Sequence, residues 1–329
     1  MEDLDIPSLD IEDFDMEEAA AGKADEIEDE SGGALTYAVI GSGQGGGRIA
    51  KAFFDLGYKK TVAINTAKSD LALLDLPDDH KFHLDCFGQQ GAGKNQEKSK
   101  EAFELKGQEI FNKLREVFGE KIDRILICVG AAGGTGGGSV LPLVDIAKRY
   151  FTYVIDNDKI KKLYPKLTVK KFWPTLNNTI AGLFHVFNLL ATKNSDYTTF
   201  DPADYDTVMK TKGCMIFGVT TVKDVENETS IATALKSNLE KTLLATGFDL
   251  TTAQGTACIV VGGTTIYEEV AGLMDSIEYG FDTLAAITGG AVVHRGIYED
   301  PKKDRLVAYT MVGGLDAPAK RLEELRKFL

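Results

Sequence analysis

Four cysteines, four histidines and one tryptophan in 329 residues leave this chain poor in the side chains that staple or metallate small folds. Cys86, Cys128, Cys214 and Cys258 are far apart, and at least three stand in apolar, strand-like runs. They read as reduced core residues, not as a disulfide framework or a zinc site. No apolar run approaches the length of a membrane span, and no secretory leader is read ahead of residue 35; the expectation is a cytoplasmic protein without a membrane span. An excess of basic charge is missing too. Fourteen of the 50 acidic side chains and one of the 37 basic ones lie in residues 1–33, which leaves 36 of each in the remainder. The formal charge of −13 therefore belongs to one tail. A neutral body lacks the basic stripe of a broad nucleic-acid surface, so no direct nucleic-acid partner is expected. The tail, nearly free of aromatics and without sustained periodicity, is expected to be disordered.

What the chain has in quantity is glycine. Six glycines fall in Gly130-Ala131-Ala132-Gly133-Gly134-Thr135-Gly136-Gly137-Gly138-Ser139, between an apolar, β-branched run (Arg124 to Val129) and a helical pattern (Val140 to Tyr150). Such a run would be ruinous inside a helix or strand. At a strand-to-helix turn it lets the backbone wrap an anion, with N–H groups pointing inward at the positive end of a helix. Thr135 adds a hydroxyl donor. The reading is a di- or triphosphate cradle, with Gly133, Gly134, Thr135, Gly136 and Gly137 as its contacts.

A second glycine run, Gly41 to Gly47, joins a predicted strand (Thr36 to Ile40) to a predicted helix (Arg48 to Leu56) and formally matches the dinucleotide fingerprint G-x-G-x-x-G. A NAD-binding fold would place a ribose-holding carboxylate after the second strand. Here that strand, Thr61 to Ile64, ends in Asn65-Thr66-Ala67, which leaves a NAD-binding Rossmann oxidoreductase as a remote alternative. A third run, Gly88-x₄-Gly93-Lys94, reads as a Walker A loop with Asn95 in place of the metal-binding hydroxyl. Asp79, His80, His83 and Asp85 read as a solvated strand edge, not a metal site. Ala102 to Phe118 predicts one amphipathic helix.

Taken in order, these loops resemble those of the tubulin/FtsZ family. Gly130 to Ser139 resembles the signature GGGTGTG or GGGTGSG, with Ala132 at the first glycine and Gly137 where the family has Ser, Thr or Ala. Gly43-Gln44-Gly45-Gly46 resembles the first phosphate loop, GQxG. Asn65-Thr66 resembles the NTD turn, with Ala67 in place of the aspartate that makes a water-mediated metal contact. Gly91-Ala92-Gly93-Lys94-Asn95 resembles the GAGANP loop at the terminal phosphate, where Lys94 adds a positive charge. Phe151 to Lys159 resembles the IPNDR-type strand end, which makes Asn157 the guanine contact. The strand–loop–helix unit that comes before it in relatives is absent at 150/151, so the sheet is expected to lose a strand. Phe172 to Asn178 opens a helical stripe running to Lys193 and resembles the family's central helix. Trp173 falls where an aromatic stacks on the base, and Asn178 where an Asp pairs with guanine. Thr199-Phe200-Asp201-Pro202-Ala203-Asp204 resembles the catalytic loop NxDxxD, with Thr199 replacing the Asn. Leu4 to Leu9 resembles the tail peptide by which FtsZ docks onto membrane-anchoring partners.

The resemblance implies an α/β fold: a Rossmann-like, parallel-sheet GTPase domain (35–210) joined by a central helix to a smaller α+β domain (211–316). An acidic tail (1–34) precedes it and a short helix (317–329) follows. It implies GTP/GDP and Mg²⁺ as ligands, a head-to-tail homopolymer, and a protein adaptor on the acidic tail as a further partner. The cellular role it implies is cell division or the positioning of DNA or phage. A helix from Asn178 to Lys193 is roughly 24 Å long. If its start touches the base, Asp201 and Asp204 can act only on a neighbour's nucleotide. A filament or scaffold with little hydrolysis is the alternative, since Ala67, Thr199 and the missing unit all touch the catalytic parts.

Overall fold

The computed structural model describes residues 30–86, 91–147, 151–152, 168–240 and 247–326. These fall into two units: the residues before 150 together with Trp173–His185, and the rest. The acidic tail to residue 29 with its Leu4–Leu9 peptide, Gly88, and residues 153–167 with Asn157 lie outside the described residues.

The first unit alternates strand and helix: β1 (Tyr37–Ser42), α1 (Gly43–Asp55), β2 (Thr61–Asn65), α2 (Lys68–Ala72), β3 (Lys81–His83), α3 (Gln96–Leu105), α4 (Gly107–Phe118), β4 (Arg124–Val129) and α5 (Gly134–Ala147). The strands form a parallel sheet in the order β3-β2-β1-β4. Every residue of β1 and β2 is buried, which is why both read as unbroken apolar runs and not as alternating ones. Ile40, Val62, Ile64, Phe103, Leu114 and Leu143 belong to one continuous core. The helix predicted from Ala102 to Phe118 is two helices that break at Lys106, with Gly107, a poor helix former, at the junction. His80 is buried and its Nδ1 lies 2.7 Å from the Thr61 carbonyl, so the expected solvated strand edge is corrected at that residue. Among the described residues no cluster of three or more His, Cys, Asp or Glu could hold a metal, and no helix is long and apolar enough to cross a membrane. All four cysteines are unpaired; Cys214 and Cys258 are buried, while Cys86 and Cys128 are only half-buried.

α6 (Val169–Leu190) is a 22-residue helix with residues in both units. In the first unit its Phe184 ring packs edge-on against Tyr37 and Phe53, with centroids 4.8 and 5.6 Å apart. The neighbouring His185 is 2% exposed; its Nδ1 meets the Tyr58 hydroxyl at 3.1 Å, and its Nε2 has no hydrogen-bond partner among the described residues. Burial lowers its pKa to about 4. A histidine whose pKa falls on folding contributes full stability above its unfolded pKa of ~6.5 and loses it as pH drops toward 4. The expected loss attributable to His185 is about 2 kcal/mol at pH 5 relative to pH 7.5. Urea denaturation of His185→Phe at both pH values checks this: the variant should shed that share of the pH dependence, whatever its baseline stability.

The second unit holds β5 (Phe151–Thr152), α7 (Pro202–Met209), β6 (Gly213–Val222), α8 (Ser230–Glu240), β7 (Gly255–Gly262), α9 (Thr264–Glu269), α10 (Leu273–Ile287), β8 (Val293–Glu299), β9 (Leu306–Leu315) and α11 (Ala319–Arg326). Its sheet runs β5-β6-β9-β7-β8; β9 is antiparallel to β6 and β7, and the other pairs are parallel. Gly218 brings the sheet close to α8, since a Cβ there would sit 2.6 Å from the Asn238 carbonyl oxygen. Phe151–Thr152, the described start of the segment that resembles the IPNDR-type strand end, pair in parallel with Gly213 and Cys214 at the edge of the second sheet. The parallel sheet accordingly has four strands among the described residues.

Candidate functional site

In both glycine runs the sequence predicts a loop before the helix, yet the structure winds the glycines into the helix's first turn: α1 begins at Gly43 and α5 at Gly134. First-turn N–H groups have no carbonyl four residues back, so glycine's weak helix propensity matters little there. In α5 the first N–H to find a carbonyl is that of Gly137, on Gly133 at 3.1 Å; those of Gly134, Thr135 and Gly136 have no backbone acceptor among the described residues. The two helix starts abut. Gly43 has φ +71°, and a Cβ on it would lie 2.9 Å from the Gly136 nitrogen. A Cβ on Gly46 would reach within 2.0 Å of the Cys128 carbonyl oxygen, and one on Gly138 within 2.2 Å of the Gln96 carbonyl oxygen. The glycines are thus sites of close approach, through which α1 presses on β4 and α3 on α5. Gly45 sits beside Gly130, its nearest non-neighbouring atom 3.8 Å from an added Cβ. Two positive helix ends side by side are an arrangement that can hold an anion.

A chain of side-chain hydrogen bonds ties the loops together. The Thr135 hydroxyl donates to Asn65 Oδ1 (3.1 Å) and meets the Thr66 hydroxyl at 2.7 Å. Asn65 Oδ1 also accepts from the Ala67 N–H, and its amide donates to Asp70 Oδ2 at 3.2 Å. Gln44 reaches the other Asp70 oxygen at 3.5 Å, and the Ala92 N–H donates to Thr66 Oγ1 at 3.1 Å. The Thr135 hydroxyl is therefore engaged within the protein, and what it leaves for an anion is its N–H. Asp70, Gln96 and Ser99 escaped sequence reasoning. Gln96 donates to the Ala131 carbonyl (2.8 Å) and Ser99 to that of Thr135 (3.1 Å). Asp70 was findable as the next carboxylate after Ala67, one helical turn on.

Gly91, Gly93 and Lys94 have φ of +69°, +57° and +64°; Lys94 is the one non-glycine residue with positive φ among the described residues. Its backbone lies against Gly134, where a Cβ would be 2.9 Å from both its N and Cα, so Lys94 stands at the start of α5. Asn95 caps α3, accepting from the Lys98 N–H at 3.1 Å. That assigns it a helix-capping part where a Walker A loop would offer a metal ligand. Trp173, 38% exposed, and Asn178, also exposed, are five positions apart on α6. In a regular helix that is about 140° of rotation, so the structure does not bring them onto one face. Pro174, inside the helix between them, removes a backbone hydrogen bond and favours a kink there.

The aspartate loop lies in the second unit. Asp201 is the N-cap of α7, with Pro202 following at the first helical position. Asp201 Oδ1 accepts from the Asp204 N–H (2.8 Å) and Asp204 Oδ2 from the Asp201 N–H (3.2 Å), a reciprocal capping box. Thr199, where the resembling loop has Asn, accepts the Ser195 N–H at 3.1 Å and closes the turn ahead of it. Asp201 remains exposed.

Residues 198–319 match the C-terminal domain of the tubulin-like protein TubZ. TubZ of Bacillus cereus is 23% identical over 286 residues, a match that takes in 68% of this chain and 65% of that protein, so the chain spans just under two thirds of this curated relative's length. In three dimensions the chain is similar to TubZ of Bacillus thuringiensis serovar israelensis in a GTPγS-form protofilament, with a TM-score of 0.77, 17% identity, and 92% of this chain and 93% of that one covered. It is also similar to an empty dimer of FtsZ from M. jannaschii, with a TM-score of 0.61, 20% identity, and 85% and 88% covered. Glycine-lined helix starts on a parallel sheet, a capped aspartate loop and a match to the TubZ C-terminal domain over residues 198–319 give this chain a fold of the tubulin/FtsZ type.

Proposed function

We propose that this chain binds GTP or GDP at the α1/α5 cradle, assembles head to tail with copies of itself, and hydrolyses GTP where Asp201 and Asp204 of one subunit meet the nucleotide of the next. The observation that carries the reading is the Gly43–Gly136 junction, where two glycine-lined helix starts meet without a side chain between them. Electrostatic stabilisation by such preorganised donors is the main protein contribution to phosphoryl transfer. Asp201 and Asp204 would orient and polarise the attacking water. Their assignment to a neighbour's nucleotide draws on the separation of phosphate loops and aspartate loop into two units, and on the protofilament form of the similar TubZ.

Small phosphate-bound ions such as Mg²⁺ are held by one carboxylate and the phosphates themselves, and Asp70, which accepts from Asn65 and Gln44, would be that carboxylate. The ion would neutralise phosphate charge. The first unit would carry the nucleotide and the unit that holds the aspartate loop the activating face, with the acidic tail as the docking segment for an adaptor. A second reading, a GTP-dependent scaffold with little hydrolysis, is favoured by Ala67 and by the engagement of Asp204 in the capping box.

Light scattering and phosphate release after adding GTP and Mg²⁺, with GDP as the control, test the proposal. Scattering with release supports it. Scattering without release points to the scaffold, and the absence of GTP binding overturns both. Lys94 supplies a further check. Lys94→Gly removes the side chain and relieves a left-handed backbone that costs a non-glycine residue about 1 kcal/mol. Thermal stability should be unchanged or slightly raised, while the preference for GTP over GDP in competition binding falls several-fold. A variant that is less stable, or equally selective, removes Lys94 from the terminal-phosphate site.

A further inference from the structure

β8 holds the aspartate loop at four points. The Ile297 N–H donates to the Thr198 carbonyl at 2.8 Å, and the Ser195 hydroxyl donates to the Ile297 carbonyl. The buried Tyr298 hydroxyl accepts the Phe200 N–H (2.9 Å) and lies 3.1 Å from the carbonyls of Leu190 and Phe200, to either of which it can donate. These three contacts grip backbone and set the path of the loop. The fourth is different. His294 Nδ1 lies 2.6 Å from Asp204 Oδ1, so this strand reaches one of the two carboxylates directly. The next residue on the strand, Arg295, turns instead to Glu278 and Asp282 of α10.

The hydrogen-bond inventory then divides the two aspartates. Asp204 has both oxygens engaged, Oδ1 by His294 and Oδ2 by the Asp201 N–H. Asp201 has Oδ1 on the Asp204 N–H and no hydrogen bond to Oδ2 among the described residues, on an exposed side chain. A carboxylate with both oxygens held is an orienting group, and one with an open oxygen can accept from water.

We propose that His294 is a positioning residue of the aspartate pair: its Nδ1–H holds Asp204, Asp204 holds the Asp201 backbone, and the open oxygen of Asp201 is thereby fixed for the water of a neighbouring subunit's nucleotide. A charge-assisted hydrogen bond of this kind is strong and directional, and the loss of an orienting partner is felt in turnover before it is felt in binding. The inference rests on the proposed hydrolytic role of the loop.

The test uses the full chain as His294→Ala, His294→Asn and His294→Gln, with Asp204→Asn, the double variant that combines His294→Ala with Asp204→Asn, and Asp201→Asn alongside. Asparagine places an amide N–H near the Nδ1 position, whereas glutamine carries it further out. Expected for His294→Ala is a fall in kcat of about tenfold or more, with GTP affinity and the critical concentration for assembly unchanged. His294→Asn should recover most of the rate and His294→Gln little. Adding His294→Ala to Asp204→Asn should change the rate less than about twofold, because the histidine acts through the carboxylate. A full rate in His294→Ala beside an inactive Asp201→Asn overturns this inference and leaves the hydrolytic reading standing. Equal losses in all three His294 variants, accompanied by a raised critical concentration, assign His294 a purely structural role and also overturn it. A fully active Asp201→Asn overturns both readings.

Discussion

Gly43→Ala loses nucleotide binding while keeping most of its fold. Two effects separate here. The first is backbone strain: φ at this position is +71°, and a Cβ in the left-handed region costs about 1–2 kcal/mol. The second is steric and local to the cradle. The new methyl would sit 2.9 Å from the Gly136 nitrogen, on the N–H face of α5 that the phosphate reading requires. Forcing the helix starts apart misplaces at least two N–H donors, and hydrogen bonds to a charged group are each worth about 1.5–3 kcal/mol. The expected affinity loss for a fluorescent GTP analogue is therefore on the order of a hundredfold or more. Gly272→Ala is the matched control. Its φ is +72° and nothing lies within 4 Å of the added Cβ, so it shares the strain without the clash. Affinity lost only in Gly43→Ala, with a melting shift that exceeds the control's by no more than the local clash, establishes the cradle. Equal affinities remove this junction from the binding site.

The fold class was legible because β1, β2 and β4 each carry an unbroken apolar stretch (Ala38 to Ile40, Val62 to Ile64, Ile125 to Val129), and because glycine runs separate two of them from helices. Helix boundaries inside those runs were not. A glycine counted as a helix breaker says nothing about a first turn, where the N–H is unpaired in any case, so α1 and α5 start five to six residues earlier than the periodicity suggests. The two loops and the aspartate pair were findable as motifs, since each is local in sequence. What ties them is long-range. Asp70 meets Gln44 from 26 residues away, and His294 meets Asp204 from 90. A lone histidine opening a strand gives no local signal of a carboxylate partner. The expected base contacts were least legible: Trp173 and Asn178 share a motif, but α6 turns them apart, and Asn157 lies outside the described residues.

The proposed cross-subunit arrangement makes the sharpest prediction, because two inactive proteins should restore each other. Asp201→Asn keeps a good N-cap, since asparagine caps about as well as aspartate, and so stability should move by only a few tenths of a kcal/mol. It loses the charge that polarises water, and phosphate release should fall by roughly 10²–10³-fold, the scale of a lost general base. Gly43→Ala keeps Asp201 but holds no nucleotide. In a filament built from both, an Asp201→Asn subunit presents bound GTP, and a Gly43→Ala subunit next to it presents an intact aspartate loop. With random one-to-one mixing, about a quarter of the head-to-tail contacts have that composition, so release should recover toward about a quarter of the wild-type rate. Co-pelleting of a tagged Gly43→Ala chain confirms that it enters the filament. If both variants co-assemble and the mixture stays silent, the aspartates act within their own subunit or not at all. If Asp201→Asn alone releases phosphate at the wild-type rate, the loop is a helix cap and nothing more.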